Sequence, residues 1–187
     1  ADEYATHARR FGLAASVGLT ALAVYRPLKV AIFSTGDELR EPGAATQPGA
    51  IYDANRYVLR ALLDQLGCDV ADLGILKDRL EVVQDALSAA SAGHDAIVSS
   101  GGMSTGDEDH VRAAVTALGS IHFWRLAIRP GRPVALGQVR GVPFVGLPGN
   151  PVAMTVTFMR FARPLLLGLA GANAREREPH LFRVRTA

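Results

Sequence analysis

The 187-residue chain has one cysteine, Cys68, so no disulfide can form within it. A reducing, cytoplasmic setting is the simple expectation, with Cys68 a buried residue at a strand start. Cys68, His94, His110 and His122 show no metal-ligand spacing, so a zinc site is not expected. No uninterrupted apolar run approaches the ~20 residues of a membrane-spanning helix, so no membrane partner is expected. Neither sign of charge dominates: the net charge is +2, which argues against a nucleic-acid binder. Gly-x-x-x-x-Gly-Lys-Ser/Thr, Gly-x-Gly-x-x-Gly, a nucleophile elbow and any Ser-His-Asp arrangement are all missing. So are internal repeats and low-complexity tracts.

What is present is an alternation of short apolar runs and helix-period segments. Nearly half of the residues are apolar, enough for a full core in one domain of ordinary size. Lys29–Ser34, Val70–Leu76 and Asp95–Ser99 read as strands, the first and third of them buried. Residues 53–66, 79–92 and 109–118 read as helices, the first stopped by Gly67. Asp78-Arg79-Leu80-Glu81 reads as a capping-box start. Residues 40–50, with two prolines and two glycines, form a loop. Ile121–Leu126, Pro133–Leu136 and Val142–Val145 are shorter strands, with a hairpin connection at 138–141. Asn150-Pro151 starts a long helix that Pro164 should kink or end. The expected fold class is α/β, a three-layer α/β/α unit with a mixed, mostly parallel sheet over residues 27–170. Residues 1–26 read as the tail of a preceding domain or a linker. Residues 171–187 read as a linker and the start of a following domain, with Leu181–Val184 as its first strand.

Five loop motifs fall at strand ends or helix starts. The carboxyl edge of an open α/β sheet is where such folds bind ligands. Ser100-Gly101-Gly102-Met103-Ser104-Thr105-Gly106 can bring main-chain N–H groups to an anion, or serve only as a tight turn. Asp107-Glu108-Asp109 suits a helix dipole, or magnesium held with ligand phosphates; Asp109 is the first metal candidate and Asp107 the second. Asp37-Glu38 ends the first strand as another carboxylate pair. Arg129 and Arg132 stand on a stiff Pro-Gly loop and match oxyanions, or form a basic surface turn. Pro148-Gly149-Asn150-Pro151 opens a helix with free N–H groups. Asp53 and Asn55 read first as helix caps and then as ligand contacts.

The ordered set resembles the MoeA/gephyrin E-domain family, the molybdopterin molybdenumtransferases. The residues that carry the resemblance are Ser34-Thr35-Gly36-Asp37-Glu38-Leu39, Asp53-Ala54-Asn55-Arg56, the 100–106 loop with Asp109, residues 123–133, and Gly146-Leu147-Pro148-Gly149-Asn150-Pro151-Val152. The resemblance runs through nearly the whole chain and implies a MoaB/Mog-like fold. It also implies the family's activity, magnesium-assisted insertion of molybdate into molybdopterin or its adenylylated form. By resemblance, Glu38 and Asp109 stand as catalytic carboxylates. Thr35, Gly36, Asp37, Asp53, Asn55, Ser100, Gly101, Gly102, Ser104, Gly106, Arg129, Arg132, Pro148, Gly149, Asn150 and Pro151 stand as ligand-binding residues. Family members are longer, work as homodimers, and add carboxylates from other domains. The stretch alone is therefore expected to bind anions weakly without turnover. A Mog-type molybdopterin adenylyltransferase and a gephyrin-like scaffold module are the alternative functions. The Arg129–Pro133 and Leu147–Pro151 motifs lean away from the adenylyltransferase.

Overall fold

The computed structural model describes residues 11–102, 109–125 and 133–178. A helical segment over 11–16 (α1) comes first, followed by an irregular stretch to Leu28. Then come β1 (Lys29–Thr35), the two-residue strands β2 (Leu39–Arg40) and β3 (Ile51–Tyr52), α2 (Asn55–Gln65), β4 (Asp69–Leu76), α3 (Leu80–Gly93) and β5 (Ala96–Gly101). The second half holds α4 (His110–Leu118), β6 (Gly119–Arg125), β7 (Pro133–Val139), β8 (Val142–Leu147) and α5 (Pro151–Thr157). A π-helical turn (Phe158–Ala162), α6 (Arg163–Leu169) and α7 (Ala174–Arg177) follow.

The main sheet has strand order β4-β1-β5-β8-β7-β6. β1 pairs in parallel with both β4 and β5, and β5 pairs in parallel with β8. β7 and β6 add an antiparallel edge. Alternation along the central strands sends side chains to two separate cores. Val30, Ile32, Ala96, Val98, Val145 and Leu147 meet α2, α5 and α6 on one face. Ala31, Phe33, Ile97 and Phe144 meet α3 and α4 on the other. This is the expected three-layer α/β/α fold.

Local chemistry explains the boundaries. Gly67, at φ 72°, takes the left-handed conformation that ends α2. Arg140 and Gly141 (φ 48° and 85°) make the two-residue turn between β7 and β8, whose positive φ values match the twist of a hairpin. Asn150 caps α5 by accepting from the Ala153 N–H at 3.0 Å, with Pro151 in the first turn.

Several details differ from the sequence reading. α3 starts after Arg79 with no side-chain cap, so Asp78 makes no capping box. Cys68 is half-buried and lies one residue before β4. The 40–50 loop is bracketed by β2 and β3, strands too short for a periodic signal. Pro164 does not end its helix. The turn before it widens, and the Arg163 N–H donates to the Phe158 carbonyl five residues back. This accommodates a proline that cannot donate. The resulting helical run, Pro151–Leu169, is 19 residues long with mean hydropathy 1.3, enough by length and composition to cross a membrane. It carries Arg160 and Arg163 mid-way, and Met154, Phe158, Ala162 and Leu166 pack into the sheet as a core helix does. Leu181–Val184 lies outside the described residues.

Candidate ligand-binding site

The strand order reverses between β1 and β5: β1 is followed by a crossover to β4 on one side, whereas the chain after β5 proceeds to the other side. A crevice at the carboxyl ends of such strands is the usual ligand position. Thr35-Gly36 leaves β1 there and Gly101-Gly102 leaves β5. Pro148-Gly149-Asn150 leaves β8 at the same edge, since β5 and β8 are parallel neighbours. Ala135 pairs with Gly146 in the antiparallel β7–β8 ladder, so the chain enters β7 at this edge too. Arg129 and Arg132 belong to that connection but lie outside the described residues, as do Ser104, Gly106 and Asp107.

The crevice floor is tightly built. Gly101 and Gly102 both have positive φ, 83° and 66°. A methyl group on Gly101 would stand 2.7 Å from the Thr35 carbonyl oxygen. One on Gly102 would meet Thr35 Cγ2 at 2.5 Å and Val111 Cγ2 at 2.7 Å. Only glycine fits here. The Glu38 carboxylate folds back over Gly36, its oxygens 2.8 and 2.9 Å from where a β-carbon would be. Asp37 and Glu38 are exposed. Beneath them Ser34, Thr35, Ser99 and Ser100 are buried, and Ser34 Oγ, Thr35 Oγ1 and Ser99 Oγ have no hydrogen-bond partner among the described residues.

α2 closes one side. Buried Asn55 donates from Nδ2 to the Gly149 carbonyl at 2.7 Å, tying the start of α2 to the β8–α5 loop. Asn55 is therefore a cross-link between loops, not a cap. Asp53 does act at the helix start, accepting the Arg56 N–H at 3.2 Å. Pro148 is buried, while Gly149, Asn150 and Pro151 are exposed.

Asp109 caps α4, its Oδ1 accepting from the Arg112 N–H at 2.8 Å. Its Oδ2 is buried without a hydrogen-bond partner among the described residues. Burial pushes the Asp109 carboxyl above the usual carboxylate range, the Arg112 N–H works against this, and the charge of Asp78 adds to the rise. Asp78, two residues past β4, is thus a member of this edge that the sequence reading assigned to helix grammar alone. The available signal was its place: a carboxylate just past a parallel strand end. Among the described residues no group of three or more His, Cys, Asp or Glu side chains could hold a metal. The fit for magnesium is narrower. One orphaned oxygen of Asp109, with Asp78 nearby, suits an ion that takes one or two carboxylates and completes its shell with water and ligand phosphates.

The sequence profile described as "Probable molybdopterin binding domain" matches residues 31–168. The chain belongs to this family. It is 42% identical over 174 residues to a Haemophilus influenzae protein named molybdopterin molybdenumtransferase, covering 93% of this chain and 43% of that protein. The structure of a molybdopterin biosynthesis moeA protein from Pyrococcus horikosii superposes with a TM-score of 0.78 at 32% identity, over 89% of this chain and 41% of that one. The chain thus spans about two-fifths of the length of these relatives. A molybdenum cofactor biosynthesis protein B shares the fold at TM-score 0.61 and 19% identity, over 80% of this chain and 97% of its own. Relatives of the family match from β1 to α6, the segment that builds the crevice.

Proposed function

We propose that this domain binds molybdopterin at the β1–β5–β8 crevice and serves in molybdenum cofactor biosynthesis, as part of a molybdopterin molybdenumtransferase. The observation that carries this reading is the 42% identity to a protein of that name across 93% of the chain. The crevice supports it: Gly101 and Gly102, at positive φ, turn the main chain tightly at the end of β5, and Asn150-Pro151 presents a helix start. In this reading Thr35, Gly36, Asp37, Asp53, Asn55, Ser100 to Gly102, Ser104, Gly106, Pro148 to Pro151, Arg129 and Arg132 form the ligand set. Molybdate is the second substrate, and the arginines supply its positive partners.

Asp109 would hold magnesium, with Asp107 or Asp78 beside it, and the ion would supply positive charge to the anionic ligands. Glu38, flexed over Gly36, is placed to meet a ligand entering above β1. Adenylylated molybdopterin fits the same reading, its extra phosphate lying along the glycine loop. A homodimer of the whole cytoplasmic protein completes the site with carboxylates from other domains. Because misplacing a reacting group by ~1 Å can cost ~100-fold in rate, this domain alone binds weakly and does not turn over. The test is calorimetry of this domain with molybdopterin, paired with a molybdate-insertion assay of the full-length protein. Binding that survives Gly102→Ala unchanged, or a full-length protein without insertion activity, would overturn the reading.

A further inference from the structure

Arg56 takes no part in the crevice, yet three carboxylates converge on it. Its side chain is 4% exposed. Nε lies 2.9 and 3.1 Å from the two oxygens of Asp72. Nη2 donates to both oxygens of Glu41 at 2.6 Å. Nη1 stands 3.3 Å from Asp53 Oδ2, an ionic contact without hydrogen-bond geometry. Burial disfavours the charge, but the hydrogen bonds donated to Glu41 and the fields of Asp72, Asp53 and Glu41 outweigh it and raise the Arg56 pKa.

The three carboxylates sit on different elements. Glu41 follows β2, Asp53 follows β3, and Asp72 belongs to β4. One guanidinium therefore fastens both short strands to the main sheet. The near end of this β2–β3 strap is held by the main chain and by Arg40, whose Nη1 donates to the Asp37 and Leu39 carbonyls at 2.7 Å. The Leu39 N–H donates to the Gly36 carbonyl, Ile51 to Glu38, and Asp53 to Arg40, at 2.9 to 3.0 Å. Glu38 thus hangs between two anchors, the end of β1 and Arg56. Asn55, which grips Gly149, is the next residue along the chain. Three carboxylates around one cation leave excess negative charge beside a site for anions. An apolar plug would serve stability as well or better. A planar fork reaching several elements at fixed angles serves geometry, and lysine cannot reproduce it.

We propose that Arg56 is a positioning residue for the ligand site: it sets the β2–β3 strap so that Glu38 stands over Gly36, and it sets the start of α2 so that Asn55 holds Gly149. The catalytic consequence rests on the molybdopterin reading above.

The test uses the full-length protein with Arg56→Lys and, separately, Glu41→Gln. Glu41 is 48% exposed in its side chain, so the second variant keeps the fold if the first does not. Amide hydrogen exchange is followed at Ile51 and Asp53, with Val30 and Val98 as references, alongside kcat and KM for molybdate insertion. We expect faster exchange at Ile51 and Asp53 with the references unchanged, and kcat falling roughly tenfold or more while KM for molybdopterin moves less than about twofold. Unchanged exchange at Ile51 and Asp53 in folded Glu41→Gln overturns the proposal. So does a wild-type kcat in a variant whose strap has loosened. An inactive wild-type protein would count against the molybdopterin reading instead, and the exchange result would still decide the role of Arg56.

Discussion

The side chain of Asn55 and the main-chain carbonyl of Gly149 meet at 2.7 Å across 94 residues of sequence. This bond joins the first turn of α2 to the loop that opens α5. Asn55→Ala leaves the Gly149 carbonyl without its donor and is expected to destabilise the domain by about 1–3 kcal/mol. Asn55→Asp is expected to be worse, because a carboxylate would face a carbonyl oxygen with no proton between them. Urea unfolding of the two variants ranks them. Equal stability for both would show that the bond contributes little.

Arg26 grips Asp95 with two bonds of 2.7 Å, and the Lys29 N–H adds a third at 2.8 Å. The hydrogen bond from Arg26, assisted by the Lys29 N–H and both positive charges, outweighs burial and lowers the Asp95 pKa from 3.8 to about 2. A depressed carboxyl contributes stability that is present above its unfolded value and is lost as pH falls through its folded one. Asp95→Asn should therefore lower the thermal midpoint at neutral pH and remove part of the loss between pH 4 and pH 2. Arg26 is largely exposed, so added salt should weaken the effect. Parallel acid-unfolding slopes in both proteins would contradict this.

Asp109 has the opposite sign. Its raised pKa means that ionisation opposes folding, so its stabilising share is complete below pH 3.8 and is lost as pH rises through the folded value. Asp109→Asn keeps an N-cap oxygen and should hold or raise the melting temperature at neutral pH. Magnesium should stabilise the wild type and leave Asp109→Asn unmoved. A magnesium response in the variant would remove Asp109 as the metal candidate.

Gly101 and Gly102 separate two kinds of crowding. Alanine at 102 meets side-chain methyls of Thr35 and Val111, whereas alanine at 101 meets the Thr35 carbonyl of the main chain. Both are strained by positive φ, at a cost of roughly 1–3 kcal/mol. Thr35→Ser removes one of the methyls and should recover part of the Gly102→Ala loss and none of the Gly101→Ala loss. Thermal unfolding of the two double variants gives the comparison.

The central parallel strands were legible in the sequence because they are apolar runs buried on both faces, as Val30 to Phe33 and Ala96 to Val98 are, whereas the edge strand β4 is only partly buried. Their parallel pairing followed from the helix-period segments between them, which read as crossovers, but the place of β1 between β4 and β5 did not. The glycine loop and the Asn150 cap were legible for the same reason: local geometry demands those residue types. Asp78 was misread because a carboxylate before a helix looks the same whether it caps or faces a neighbour across the sheet edge. Arg56 was quoted in a motif but given no role, since its partners Glu41 and Asp72 lie 15 and 16 residues away on either side. No local pattern encodes such a meeting. β2 and β3 were missed because two residues carry no period.

The widened turn at Phe158–Ala162 fixes the phase of the long helix it interrupts. Its core contacts, Met154, Phe158, Ala162 and Leu166, recur every four residues. In an unbroken α-helix each step of four overshoots a full turn by about 40°, so three steps would carry Leu166 about 120° around from Met154. The extra residue in the π turn takes up this drift and keeps all four on one line. Ordinary winding of the same residues would rotate everything downstream by about 100° and bring Leu165 toward the sheet in place of Leu166, whereas deleting one residue at the wide turn would restore ordinary winding and leave Leu166 facing the sheet. The wide turn therefore absorbs one residue beyond what α-helical phase requires, and it keeps the core face in line on both sides of it.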